Sequence, residues 1–216
     1  RMRRLSAVLL VLIFPALASA QGFGSTKWEF SVNALYQDSE SVSGGGGSGV
    51  DFDSDWGLGV TLKYKFTPKF AFGGDIEFLS PRYTATLVDD LNQTQTFRHT
   101  ANQFNGRLKA TYEFSENNFS PYVEAGIGWT QFDSNVADGP PIVGCWWHPW
   151  FGYICDGFYN TITETNFSYG GALGVRYRLR GGSMIKIAYN TYQLDSSTAE
   201  VDPTLSAWRL EWGWGF

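Results

Sequence analysis

Apolar and polar residues alternate with a period of two along most of this chain, and this alternation constrains its fold more than any other feature. In the run 28–37 the even positions are apolar and the odd positions are polar, apart from Leu35. Alternation of this kind predicts a β-strand with one apolar face. Seven further runs share the pattern, at 55–66, 70–78, 94–114, 122–130, 167–180, 185–190 and 208–216.

The connections between these runs alternate in length. Three are short, around Pro68, Asn117 and Gly182, and four are long, at 39–54, 80–93, 133–163 and 195–206. An even number of strands with alternating short and long connections is typical of bacterial outer-membrane barrels, whose short turns lie in the periplasm. The pattern predicts an all-β, eight-stranded antiparallel up-and-down transmembrane barrel with periplasmic termini. The stretch 41–49, SVSGGGGSG, is expected to be a flexible external connector.

The small volume of an eight-stranded barrel indicates where its apolar face lies. A soluble barrel such as a lipocalin alternates as well, but its interior holds little beyond side chains or one small ligand. Aromatic residues make up 17% of this chain, too many for such an interior, so we expect them to face lipid. The predicted periplasmic belt is Trp28, Tyr64, Phe66, Tyr112, Phe114, Trp214 and Phe216. The predicted external belt is Trp56, Trp129, Phe167 and Trp208.

The first twenty residues have the pattern of a secretory signal peptide. Three arginines precede the apolar run 7–17, which ends at Ala18-Ser19-Ala20, a typical cleavage site. We therefore expect residues 1–20 to be removed and residues 21–216 to form the barrel domain in the bacterial outer membrane. Removal of the three arginines changes the formal charge from -5 to about -8. This acidic balance argues against nucleic acid as a partner.

The polar face of the runs carries charges of both signs, which we expect to point into the lumen. Unpaired ions in a low-dielectric interior are costly, so the sequence predicts an internal network of salt bridges. Counting from the short turns places Asp75 level with Lys109 and Glu77 level with Arg107. An ion path or proton relay is the alternative interpretation. The full set is Glu29, Asp55, Lys63, Lys65, Asp75, Glu77, Arg107, Lys109, Glu113, Glu124, Arg176, Arg178, Arg180, Lys186, Arg209 and Glu211.

Two segments carry a resemblance to a known family. With its eight runs, the sequence PYVEAGIGW at 121–129 and the terminal WGWGF at 212–216, the chain resembles the OmpA/OmpX-type small outer-membrane β-barrels and opacity-like surface antigens. The resemblance implies that the last strand is read by the barrel-assembly machinery through Trp212, Trp214 and Phe216. It also implies that outer-membrane lipids and lipopolysaccharide surround the protein.

The third long loop contains the two cysteines of the chain. In an exported protein, Cys145 and Cys155 are expected to form a disulfide rather than a metal site. Closing about ten residues removes roughly 2.5 to 3 kcal/mol of unfolded-chain entropy, which would hold the loop in one shape. The loop could bind an extracellular ligand, or Trp146, Trp147 and Trp150 could form a small core or enter the outer leaflet. The candidate binding residues are Trp146, Trp147, His148, Trp150, Phe151 and Tyr153.

These features favour a non-enzymatic structural or surface-interaction barrel with a plugged polar lumen. A small porin is the second hypothesis, and a lipid A-modifying barrel enzyme is the third. The chain has two histidines, His99 and His148, and His99 is expected to point inward. His99 is followed by Thr100 and Ala101, which departs from the His-x-Ser pattern of the lipid A deacylase family. No catalytic residue, metal ligand or cofactor is therefore predicted.

Overall fold

The computed structural model describes residues 27–43, 48–88, 94–140, 142–150, 152–158, 160–179, 181–196 and 202–216. The predicted signal peptide at 1–20 lies outside these ranges. The described chain is all-β, and no helix in it is long and apolar enough to cross a membrane. Its strands are β1 (Trp28–Gln37), β2 (Glu40–Ser43), β3 (Gly49–Phe52), β4 (Asp55–Lys65), β5 (Phe70–Leu79), β6 (Arg82–Val88), β7 (Thr94–Thr100), β8 (Asn102–Glu113), β9 (Phe119–Ala137), β10 (Ile142–His148), β11 (Gly152–Phe158), β12 (Thr161–Arg178), β13 (Ser183–Asp195) and β14 (Thr204–Gly215).

Eight of these strands form a closed antiparallel barrel, which confirms the predicted fold. Their order around the barrel is β1-β14-β13-β12-β9-β8-β5-β4, and β1 also pairs with β4. The final seam joins the two ends of the chain, since Trp28 and Phe216 exchange backbone N–H···O bonds of 3.0 and 2.9 Å. Closure leaves this sheet without a free edge, which a strand-built membrane protein requires.

The outer surface of the barrel is apolar, as the volume argument predicts. Leu173, Leu58 and Trp56 are between 66% and 71% exposed, whereas their inward-facing neighbours are mostly buried. Aromatic pairs lie near both ends of this surface. Trp28 and Tyr64 pack edge to face with ring centroids 5.0 Å apart at one end, and Tyr36 and Trp56 pack at 5.0 Å at the other. This distribution is typical of a surface that faces hydrocarbon with aromatic residues at its two interfaces.

The two ends of the barrel differ in construction. Short turns at 66–69 and 114–118, and the short connection between β12 and β13, close one end, which we call the periplasmic end. In the last of these turns Gly181 and Gly182 both have positive φ, 89° and 87°, a conformation that suits glycine in a tight hairpin.

Long connections rise from the opposite end, which we call the external end. Here β2, β3, β6 and β7 form a separate four-stranded sheet, the external sheet, and β10 and β11 form a two-stranded hairpin. The sequence prediction missed the external sheet. Residues 41–49 include parts of β2 and β3 rather than a wholly irregular connector, and the run 94–114 divides into β7 and β8 at Ala101.

An aromatic cluster joins the external sheet to the barrel wall. The ring of Phe52 lies 5.7 Å from those of both Tyr83 and Phe132, and the Tyr83 hydroxyl donates to the Ser134 carbonyl oxygen at 3.0 Å. Burial raises the pKa of the Tyr83 phenol. His99 packs beside Tyr83 with ring centroids 6.0 Å apart.

The prediction that His99 points into the lumen is wrong. His99 lies in β7 and is exposed, because the chain leaves the barrel at Ala101 and pairs with β6 instead. Ala101 is 2% exposed and its N–H donates to the Pro81 carbonyl oxygen at 2.9 Å, which fixes this departure.

A charge introduced on the outer face should destabilise the barrel according to its depth. Leu210 is exposed on β14 between the two aromatic ends, so Leu210→Arg is expected to lower the free energy of unfolding by about 2–4 kcal/mol. Phe119→Arg, at the periplasmic start of β9, should cost only about 0–1 kcal/mol. Urea unfolding in lipid vesicles measures both, and equal costs would contradict the assigned membrane orientation.

Candidate functional site

Charged side chains fill the barrel interior. In the described chain, six acidic and six basic side chains are buried, so the charges inside the barrel balance. This set consists of Glu29, Asp75, Glu77, Glu113, Glu124, Glu211, Lys63, Arg107, Lys109, Arg176, Lys186 and Arg209. Because alternate residues of a strand point to opposite faces, each barrel strand supplies inward groups at every second position.

Near the periplasmic end, two glutamates hold basic partners from neighbouring strands. Lys186 Nζ donates to Glu29 Oε2 at 2.9 Å, and Lys65 pairs with the other oxygen of Glu29. Glu113 forms an ion pair with Arg176. These contacts join β1, β4 and β13 on one side and β8 and β12 on the other, so charge pairing links strands across the lumen.

The centre of the lumen is organised around Glu124. This carboxylate pairs with both Lys63 and Arg209, and it accepts a hydrogen bond of 3.0 Å from the Thr111 hydroxyl. Arg209 also reaches Glu211, with Nε 2.7 Å from Oε1. The central layer is therefore one connected group of charges, because Glu124 is shared by two cations and Arg209 is shared by two carboxylates.

Two further ion pairs lie between β5 and β8. Lys109 pairs with Asp75, and Arg107 Nη1 donates to Glu77 Oε2 at 2.5 Å. The strand register predicted for these residues is wrong by two positions, since Arg107 lies opposite Asp75 and Lys109 lies opposite Gly73. The pairs therefore form diagonally, which the length of Lys and Arg side chains permits.

Two tyrosines pack against the basic groups inside the barrel. The Arg107 guanidinium lies 4.0 Å from the centre of the Tyr192 ring, and Lys109 Nζ lies 5.9 Å from it. Lys63 Nζ is 6.0 Å from the Tyr122 ring centre. Tyr192 lies beyond the predicted run 185–190, and extending the period of two through β13 would have found it.

A layer of amides closes the lumen above these ion pairs. Gln37 donates to Gln103, Gln103 donates to Asn105, and Asn105 donates to Glu77, over 3.2, 3.2 and 3.3 Å. A cavity of about 10 Å³ remains in this region beside Leu35, which is room for about one water molecule. The upper lumen is therefore packed with side chains.

Two residues predicted to line the lumen have other surroundings in the described chain. Arg178 is partly exposed at the periplasmic mouth, and its Nη1 donates to the Glu116 carbonyl oxygen at 3.2 Å. Asp55 lies at the external rim, where Oδ2 accepts a hydrogen bond of 3.1 Å from the Ser80 N–H. Arg180 lies outside the described residues.

The external hairpin formed by β10 and β11 contains the predicted disulfide. Cys145 and Cys155 lie directly opposite each other and are bonded. The side chains of Trp147, Trp150 and Tyr153 are 68%, 83% and 73% exposed. Trp147 and Trp150, two of the three tryptophans of the small-core alternative, are therefore exposed in the described chain.

The remaining candidate binding residues of the hairpin are His148, Trp146 and Phe151. His148 Nδ1 accepts a hydrogen bond of 3.2 Å from the Trp150 N–H, and the two rings lie 5.8 Å apart. Trp146 lies opposite Ile154, but its side chain is outside the described part, as is Phe151. His148 is in this hairpin and His99 is in the external sheet, so the two histidines belong to separate elements.

The last strand combines barrel closure with an aromatic outer face. Trp212 and Phe216 are 48% and 44% exposed on the lipid side, and the Trp212 and Trp214 rings lie 6.4 Å apart. An apolar outer face, a charged packed interior and a closed sheet together define an integral outer-membrane β-barrel.

The sequence places the chain in a particular family of such barrels. A family model for the outer membrane protein beta-barrel domain matches residues 6–216, so the chain belongs to this family. The protein is accordingly a component of the bacterial outer membrane. Comparison with curated proteins gives no significant sequence match.

Solved structures with a similar fold are distant in sequence. Neisserial surface protein A is 12% identical, with a TM-score of 0.51 over 86% of this chain and 94% of that one. Ail of Yersinia pestis, solved with the heparin analogue sucrose octasulfate, is 14% identical, with a TM-score of 0.45 over 88% and 99%. The Escherichia coli outer membrane protease OmpT is 10% identical, with a TM-score of 0.45 over 91% and 99%.

Removing the central carboxylate should destabilise the barrel strongly. Glu124→Gln leaves Lys63 and Arg209 without their shared counter-ion, so we expect the free energy of unfolding to fall by about 3–5 kcal/mol. Glu116→Gln, in an exposed periplasmic turn, should change it by less than about 0.5 kcal/mol. Urea unfolding in vesicles compares the two, and a similar small loss in both would contradict a central role for Glu124.

Proposed function

We propose that this protein is a non-enzymatic outer-membrane barrel that contacts molecules outside the cell through its external loops, above a lumen sealed by ion pairs. The packing of the lumen carries this proposal. Twelve buried charged side chains, two tyrosines and an amide layer occupy the space in which a channel would need water. In a barrel of eight strands the interior is only wide enough to be filled by such groups.

The sealed lumen favours a surface role over the porin hypothesis. Ions crossing the barrel would have to separate Arg107 from Glu77 and Lys109 from Asp75, and each separation exposes an unpaired charge in a poorly solvated interior. The residues that would line a conducting path are already paired with one another.

The external hairpin supplies the surface for contact. A hairpin of two strands alone is marginally stable in water, and the Cys145–Cys155 bond compensates by restricting the unfolded loop. Trp147, Trp150 and Tyr153 are thereby displayed on a restrained scaffold. Exposed tryptophan and tyrosine side chains are the residue types that contribute most to binding interfaces.

The last strand, which closes the barrel, is also the candidate signal for its assembly. We propose that the barrel-assembly machinery reads the last strand through Trp212, Trp214 and Phe216. The pairing of Phe216 with Trp28 supports this, because the sheet keeps a free edge until the seam between the last and first strands has formed. Outer-membrane lipids and lipopolysaccharide contact the apolar outer face.

The wild-type protein should not conduct ions. In planar bilayers we expect no stable open steps, because ion pairs and the amide layer occupy the lumen. The double variant Glu77→Ala/Arg107→Ala, which removes one ion pair below the amide layer, should conduct more than the wild type. Stable, sizeable steps from folded wild-type protein would contradict the sealed lumen and favour the porin hypothesis.

Removing the aromatic side chains of the hairpin should weaken surface contact. Trp147→Ser/Trp150→Ser is expected to reduce the binding of cells that display the protein to immobilised neutral glycans by about tenfold or more. Cys145→Ser/Cys155→Ser should produce a smaller loss by loosening the hairpin. Phe97→Ser, at an exposed aromatic position of the external sheet, is the matched control. Binding that is unchanged in both hairpin variants would contradict this role.

A further inference from the structure

A second external feature is a cavity beneath the external sheet. Its volume is about 340 Å³, and its walls come from β2, β3 and β6 on one side and from barrel strands on the other. A volume of this size falls within the range typical of small-molecule sites. The cavity is distinct from the hairpin, because no residue of β10 or β11 is among its described lining residues.

The walls of this cavity are mainly apolar. Val42, Val50 and Phe52 line it from the external sheet, and Leu194 and Leu205 line it from the barrel. The two leucines are 2% and 6% exposed, so they belong to the packed barrel rim rather than to a mobile surface. An apolar molecule placed here would remove hydrophobic surface from water, which favours binding.

The wall contributed by the external sheet is fixed in position. Phe52 stacks 5.7 Å from both Tyr83 and Phe132, and Phe132 itself lines the cavity. Asp53 N–H donates to the Arg82 carbonyl oxygen at 2.8 Å just beyond this cluster. The cavity therefore exists as a preformed space, which reduces the cost of ordering on binding.

Both charged side chains described in the lining are carboxylates, Glu40 from the external sheet and Glu164 from β12. In the orientation that satisfies its neighbours, the buried Asn166 amide donates to Glu164 Oε1 at 3.3 Å and to the Asp195 carbonyl oxygen at 3.2 Å. This hydrogen bond positions the Glu164 carboxylate beside the cavity. A ligand with a positive group would find its counter-charge already in place.

The surrounding loops have the same sign of charge. Positions 38–54, 80–101, 133–166 and 195–206 together carry thirteen acidic residues but only two arginines, Arg82 and Arg98. The rest of the chain after residue 20 carries eight acidic and eleven basic residues. A strongly acidic surface attracts cations and repels anions before they reach a site.

We propose that the external cavity binds a small amphipathic cation, with the apolar part against Val50 and Leu194 and an ammonium group toward Glu40 and Glu164. Apolar walls alone would accept a fatty acid or a neutral alcohol equally well. The two carboxylates and the acidic loops select against the anion and in favour of the amine.

The test uses the folded protein in phosphatidylcholine nanodiscs, with empty nanodiscs as the baseline for partitioning into lipid. Octylammonium, octanoate and 1-octanol are titrated separately while backbone amide NMR shifts are followed. We expect octylammonium to shift the signals of Val50 and Ala85, which lies opposite Val50 in β6, and to bind about tenfold or more tightly than octanoate.

Three variants distinguish the parts of the proposal. Glu40→Gln and Glu164→Gln should each weaken octylammonium binding by about fivefold while leaving 1-octanol binding unchanged. Ala85→Trp should occupy the apolar part of the cavity beside Val50 and strongly weaken the binding of both octylammonium and 1-octanol. Asp138→Asn, an acidic external position outside the described lining, is the matched control and should have little effect.

Unchanged migration of the unboiled protein on gels shows that each variant is folded. The proposal is overturned if octanoate or 1-octanol binds as tightly as octylammonium, which would indicate a site for neutral or anionic lipid. It is equally overturned if Ala85→Trp leaves octylammonium binding intact, or if the shifted signals lie away from the cavity.

Discussion

The pairing of β1 with both β4 and β14 is the constraint on which the rest of this structure depends. Closure with eight strands fixes the diameter of the barrel and leaves an interior that side chains alone must fill. It also removes the free edge that could not exist in hydrocarbon. The interior then has to satisfy its own polar groups, because little water can reach them. Every charge directed inward must find its partner on another strand.

The lumen pairs its charges through shared counter-ions rather than isolated pairs, although some buried polar atoms, such as both amide atoms of Asn190, have no hydrogen-bond partner in the described chain. Glu124 serves Lys63 and Arg209, and Glu29 serves Lys65 and Lys186. Buried ion pairs often add little net stability compared with well-packed apolar groups. Their clearer effect here is on strand register, because a slip of one residue turns every side chain of a strand to the opposite face. Such a slip would place the Glu124 carboxylate in hydrocarbon, so the charges exclude that alternative pairing.

The parts of the fold that follow a strict period of two could be predicted from the sequence, and the remaining parts could not. Parity alone assigned Glu77 and Arg107 to the same interior, but it could not determine the stagger between β5 and β8, which depends on how the barrel closes. The external sheet was missed because glycines around Val42 and Val50 obscured short strands that pair with residues far along the chain. The predicted position of His99 was also wrong, because no residue near Ala101 in the sequence indicates where the chain leaves the barrel.

The two ends of the molecule are adapted to different surroundings. Lysines and arginines are concentrated in the barrel strands and periplasmic turns, where they balance buried carboxylates, whereas the loops carry most of the acidic residues. A surface of one sign of charge attracts ions of opposite sign and repels ions of like sign over about 8 Å at physiological ionic strength. The external end therefore favours cations over anions in its surroundings. The Phe52 cluster fixes the external sheet to β9, so the acidic residues of that sheet keep their place beside the barrel rim.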